Sequence, residues 1–169
     1  AFDTDVAGLK AILEHGVALW PNQGRFPQLG GVAFSWDPDN VAGSRVSDIS
    51  LLDAAGGVTV RLYNNGILQS GVPSKITLVT LNFLANGGDG YPMKQVGDNF
   101  RYLLDNGKLS GAVGEALDFT AAGVIAQFAT GGTSLLGEQQ ALREYMQAFH
   151  PTQNKAFAAA DTPESLDLR

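Results

Sequence analysis

Ten consecutive residues, Asn82-Phe83-Leu84-Ala85-Asn86-Gly87-Gly88-Asp89-Gly90-Tyr91, bring together three glycines, one carboxylate and two aromatic rings. They continue an apolar run, Lys75 to Leu81, whose residues suit a strand. The pattern predicts a strand over 75–83 that delivers Phe83 to its own end, followed by a loop that presents Asp89 beside it. Glycine adopts backbone angles that other residues avoid and lets a ligand approach the main chain closely. An aromatic face beside a carboxylate suits a ligand with one flat part and one hydroxyl-rich part, and a nucleoside is such a ligand. A second reading competes with this one. Asn-Gly-Gly-Asp-Gly is also plain turn chemistry, and Phe83 could be an ordinary core residue.

Other chemistry is sparse. The histidines are His15 and His150, and neither sits in an H-x-H, H-E-x-x-H or D-x-H pattern. Metal or nucleophile–histidine sites need partners that the chain barely offers, so no catalytic or metal-ligating residue is expected in it. His15, on the first predicted helix, reads as structural or surface; His150 reads as a group at a helix C-terminus, where positive charge is favourable. Arg25 and Arg45 could bind phosphate but read better as residues that pair at the surface or hold turns. Trp36, beside Asp37-Pro38, reads as a packing anchor at a strand end. No carboxylate pair has spacing that marks an acid and a base, and no phosphate-loop or dinucleotide fingerprint occurs.

The elements that must position the stretch can be placed from periodicity and breakers. Residues 4 to about 20 predict an amphipathic helix. Thr4 or Asp5 caps it, Val6, Leu9, Ile12, Leu13 and Val17 recur at helical spacing, and Gly16 marks a bend or close packing. Pro21 to Gly24 stops it. Phe26 to Trp36 predicts an extended run interrupted at Gly30-Gly31. Strands are predicted over Arg45–Leu52 and Val58–Tyr63, then a tight turn at Asn64-Asn65-Gly66 and a short stretch Ile67 to Gln69. A short helix is predicted from about Gly97 to near Asn106. Glu115 to Phe128 suits either helix or irregular packing, broken by Gly131-Gly132. Gly137 to Phe149 predicts a helix whose Leu142, Tyr145, Met146 and Phe149 form a core stripe, ended by Pro151.

This order predicts an α+β fold of mixed strands with packing helices, without βαβ alternation. The 169 residues suit one domain, 1–151, with 152–169 as a surface tail. Hydrophobic residues make up 44% and charged residues 17%, as in a globular chain. The net charge of −6 argues against a nucleic-acid polymer or an anionic membrane as partner. It leaves room for a small nucleotide. There is no cysteine, hence no disulfide or thiolate metal site, and no apolar run reaches membrane-spanning length. The chain starts without Met and shows no signal peptide. Both ends read as cut, and the final Arg169 would suit trypsin-like clipping.

Four blocks together resemble a known family: LKAILEHGV (Leu9–Val17), GRFPQLGGVAF (Gly24–Phe34), WDPDNVAGSRV (Trp36–Val46) and NFLANGGDGY (Asn82–Tyr91). They look like the C-terminal domain of 5'-nucleotidases, a group that includes UDP-sugar hydrolases and related periplasmic or cell-surface phosphoesterases. The helix at Gly137–Phe149 and the tail Ala160-Asp161-Thr162-Pro163 resemble bacterial members. The resemblance implies a substrate-recognition domain that serves a separate N-terminal metallophosphoesterase domain, which holds two divalent metal ions and hydrolyses the phosphate ester. It implies that the base is sandwiched between two phenylalanines and the ribose held by an aspartate. Carried onto this chain, Phe83 is one ring, Asp89 the ribose ligand, and Asn86, Gly87 and Gly88 belong to the same substrate loop. The second ring belongs to a P-F-G-type motif upstream of the first helix, which this sequence does not contain, and the family's substrate-contacting arginines also precede this point. The implied partners are a nucleotide or nucleoside and the N-terminal catalytic domain; the implied location is periplasmic or secreted. Two other readings stay open on the residues alone: a non-catalytic nucleoside- or sugar-binding module, and a structural or dimerisation domain whose glycine loop is only a turn.

Overall fold

Asp5 sets the start of the first helix. Its side chain accepts a hydrogen bond from the Gly8 amide (2.7 Å) and so satisfies one of the free donors of the first turn. Helix α1 then runs Val6–Val17. Residues 2–4, expected in part as helix, instead form strand β1 (Phe2–Thr4). A computed structural model describes residues 1–21, 24–111, 113 and 134–156. The expectations for Glu115–Phe128, for Gly131-Gly132 and for the tail past 156 lie outside the described residues.

The chain is α+β, built on two antiparallel sheets with α1 against both. Strands β2 (Val32–Trp36), β3 (Val46–Leu52), β4 (Val58–Asn64) and β5 (Ile67–Leu68) form a meander in that order. Its register pairs Phe34 with Ile49 and Ile49 with Tyr63. Asn65 and Gly66 both take positive φ (49° and 76°), as the tight turn between β4 and β5 requires. The other sheet is β6 (Ile76–Leu78), β1 and β7 (Gly97–Asp98), with β1 in the middle.

Two apolar clusters result. Val6, Leu9, Leu13 and Val17 of α1 pack on Val46, Ile49, Leu62 and Ile76. Ile12 turns toward the second cluster, with Phe2, Ala85, Tyr91, Met93, Phe100 and Tyr102. Gly16 marks close packing, not a bend: a Cβ there would lie 2.7 Å from Pro27 Cδ. Trp36 is the expected anchor, with ring centroids 5.3 Å from Trp20 and 5.9 Å from Phe26. Arg45 holds a helix end: its Nη1 donates to the carbonyls of Val17 (2.6 Å) and Ala18 (3.1 Å). Buried Glu14 ties α1 to β3 by accepting from the Arg45 and Val46 amides, both at 2.9 Å. Burial pushes its carboxyl up, but bonds from Lys10 and those two amides outweigh it, so the group lies below its ordinary range.

The second sheet has a polar knot that no motif announced. Asp3, 4% exposed, accepts from Thr77 (2.7 Å) on β6 and Asn99 (2.7 Å) just past β7, and pairs with Arg101 and Lys75. The bonds from Asn99 and Thr77, helped by the two cations, hold its carboxyl at about 2 against the opposing pull of burial.

Four expectations are corrected. The strand over 75–83 is only Ile76–Leu78, and Phe83 lies on a one-turn helix, α2 (Asn82–Ala85). The helix from Gly97 to Asn106 does not form. A short α3 (Met93–Val96) precedes β7, and Phe100 and Tyr102, two apart, bury on one side of an extended segment. Arg101 and Ala1 exchange backbone bonds there, which prolongs the pairing beside β1. Phe100 and Tyr102 bury at a period of two, not at helical spacing. The extended run from Phe26 is regular only from Val32. Helix Glu138–Phe149 forms as expected, but its stripe is not core: Leu142, Tyr145 and Phe149 are 61%, 44% and 64% exposed. Periodicity tells which side chains share a face, not whether another element arrives to cover it.

Candidate functional site

Helix α2 is too short to be stable alone, and its orientation is set by burial. Ala85 is buried and Leu84 packs against the second cluster. That turns Phe83 outward, where it is 57% exposed. Asn86 closes the turn, its Nδ2 donating to the Asn82 carbonyl (3.0 Å).

The loop then folds the chain back under the ring. A Cβ on Gly88 would lie 2.5 Å from Phe83 Cε1, so the ring rests on the Gly88 α-carbon and any side chain there would displace it. Asp89 follows at once in a 3-10 turn (Gly88–Gly90), with φ 54° and ψ 17°. The left-handed region is uncommon for a residue with a side chain, so something must hold it.

The holding groups come from far away in sequence. His15 Nε2 lies 2.8 Å from the Asp89 carbonyl oxygen. A carbonyl only accepts, so this contact is a hydrogen bond in the tautomer that carries its hydrogen on Nε2, and that tautomer gives up the alternative bond from Arg25 Nη1 to the ring. Arg25 Nη1, 3.1 Å from the same nitrogen and 3.5 Å from the same carbonyl, is then a second donor aimed at that oxygen. Arg25 Nε is buried without a hydrogen-bond partner among the described residues. Tyr91 Oη donates to the Arg25 carbonyl (2.6 Å), and the Tyr91 ring lies 4.8 Å from that of His15. Burial raises the Tyr91 phenol above its ordinary value, which keeps it a donor.

The Asp89 carboxylate, by contrast, is exposed and makes no hydrogen bond or ion pair among the described residues. The structure thus gathers Phe83, Gly88 and Asp89 at one surface corner, with an open ring face and an uncommitted acid. Gly87 shapes the turn (φ 88°), and the Asn86 amide bonds back to its own helix. His15 and Arg25 were read as structural or surface groups, and they do hold a turn, but their attachment to this loop left no signal in a sequence where Asp89 lies 74 and 64 positions away. An open groove of about 600 Å³ lies along α1, lined by Ala11, His15, Ala18, Gly43, Tyr63 and Pro92 among others. Neither Phe83 nor Asp89 lines it.

The sequence model of the 5'-nucleotidase C-terminal domain matches residues 7–95, which contain all four blocks and the whole loop. The chain belongs to this family. Among solved structures it is similar to the 5'-nucleotidase precursor from Thermus thermophilus, with 33% identity, 54% of this chain and 16% of that chain covered, and a TM-score of 0.42. The matched part of the chain spans only 16% of the length of that relative. No curated protein matches it. For the two divalent metal ions that the family resemblance implies, no group of three or more histidine, aspartate or glutamate side chains is suitably placed among the described residues of this 5'-nucleotidase C-terminal domain. Among the same residues no helix is long and apolar enough to cross a membrane.

Proposed function

We propose that residues 1–151 form the substrate-recognition domain of a 5'-nucleotidase-type phosphoric ester hydrolase, with 152–169 as a surface tail. The base of a nucleotide stacks on Phe83, and the Asp89 carboxylate accepts from the ribose hydroxyls, with Asn86, Gly87 and Gly88 shaping the edge of the seat. Hydrolysis belongs to a metallophosphoesterase domain elsewhere in the full-length protein, which carries the two divalent metal ions. A periplasmic or secreted location goes with that reading.

One observation carries it: an exposed ring rests on Gly88 while the next residue offers a carboxylate with no partner among the described residues. Every base has a flat face, and stacking on an aromatic ring contributes about 1–3 kcal/mol per base. A carboxylate has two acceptor oxygens, enough for neighbouring sugar hydroxyls. What this domain supplies to catalysis is position, since fixing the substrate removes much of the entropic cost of the reaction.

The test uses the full-length protein. Phe83→Ala and Asp89→Ala should each raise KM for nucleoside monophosphates by about tenfold, in line with the loss of one stacked or charged contact, and both variants should melt within about 4 °C of wild type. Unchanged kinetics in both would remove the assigned roles.

A further inference from the structure

Asp89 can serve a sugar only if its carboxylate points outward, and its direction follows from an uncommon backbone conformation, φ 54°. The loop's own bonds, Gly90 N–H to the Gly87 carbonyl and Tyr91 N–H to the Gly88 carbonyl (both 3.1 Å), bracket this residue but do not touch its peptide oxygen. That oxygen is taken by His15 Nε2–H at 2.8 Å, with Arg25 Nη1 aimed at it from 3.5 Å. Turning Asp89 into an ordinary conformation would swing the carbonyl away from both donors.

We propose that His15, assisted by Arg25, is a positioning residue for substrate: by holding the Asp89 carbonyl it keeps the carboxylate aimed at the sugar. This rests on the reading of Asp89 as the ribose acceptor. Three features make the hold specific. Tyr91 fixes both partners, through its ring on His15 and its hydroxyl on the Arg25 carbonyl. Gly90 leaves room for the imidazole, because a Cβ there would lie 3.3 Å from His15 Cε1. His15 and Arg25 come from α1 and from the segment after it, so the loop is referenced to the body of the domain and not to its own turn. Without the hold, the competent conformation is only a fraction of the loop population, and apparent affinity falls by that fraction.

The experiment compares His15→Phe, which keeps an aromatic ring beside Tyr91 and removes the donor, with His15→Gln, which restores an N–H at similar reach. In the full-length protein, His15→Phe should raise KM for a nucleoside monophosphate by about tenfold, the effect falling on KM and not on kcat, while His15→Gln stays within about threefold of wild type. Amide exchange at Gly90 and Tyr91 should quicken by about tenfold in His15→Phe and not in His15→Gln, a readout independent of any nucleotide. Wild-type exchange in His15→Phe, or a Gln variant as impaired as the Phe variant, overturns the proposal. So does an unchanged KM in His15→Phe when Asp89→Ala raises it. If Asp89→Ala itself leaves KM unchanged, the nucleotide seat is lost and the aim of its carboxylate with it, even if exchange shows that His15 holds the loop.

Discussion

Around Asp3 the chain places Asn99, Thr77, Arg101 and Lys75 on one carboxylate. Around Asp89 it places His15 and Arg25 on the backbone carbonyl and leaves the carboxylate without a partner among the described residues. Both are aspartates beside short, irregular elements. At the first, a buried acid joins β6, β1 and β7, and every contact is made within the domain. At the second, the domain fixes the main chain and keeps the acid open to solvent. A saturated carboxylate holds a fold together; we propose that the one with a held backbone and idle oxygens serves a ligand.

The largest effect that could break this contrast is on stability. Asp3→Ala strips the partner from a half-buried Arg101 and from Asn99 and Thr77, and should lower the unfolding free energy by about 3 kcal/mol, as removal of one member of a buried pair does. Asp89→Ala, measured by the same urea titration, should lose only about 1 kcal/mol, the cost of seating alanine at a positive φ. Equal losses would mean that the two acids do the same work.

The second test is pH. The Asp3 carboxyl lies at about 2 in the folded chain, below its unfolded value. Its contribution is therefore fully present above about pH 4 and is lost as pH falls through about 2. The wild-type urea midpoint should decline across that window, and Asp3→Asn should flatten part of the decline. An identical decline in the variant would remove Asp3 as its source.

Smaller still are the effects at the open corner. Phe83→Ala and Asp89→Ala should weaken nucleoside binding by about tenfold, read by calorimetric titration of the full-length protein. Smallest of all is Leu142→Lys, on the helix whose stripe is exposed. It should change stability by less than about 0.5 kcal/mol, whereas a core leucine would cost several times more. A large loss there would show that the face is covered.

Much of the first cluster was legible because its information is local. The spacing of Val6, Leu9, Leu13 and Val17 gives one helix face, and Asn65-Gly66 gives its turn. The candidate site was legible in kind, as a ring and an acid six places apart, but not in mechanism. Phe83 was expected at the end of a strand. It reaches the surface because Leu84 and Ala85 bury on the other side of a single helical turn. Phe100 and Tyr102 were expected within a short helix from Gly97 to Asn106, and the backbone pairing of Arg101 with Ala1 holds that segment beside β1 instead. Leu142, Tyr145 and Phe149 were read as core because their spacing is helical, and spacing carries no information about a covering surface.

By itself, the sequence determined the family, the α+β class, the first helix with its cap, and the presence of an aromatic and an acidic residue in a glycine-rich loop. These follow from short-range periodicity and from residue types whose backbone preferences are intrinsic. Only the tertiary structure decided which aspartate is consumed by the fold and which is left open, and that His15 and Arg25 grip the loop. Those outcomes depend on contacts between residues 64 to 98 positions apart, and chain closure over such separations is set by the packing of the whole domain, not by any local pattern.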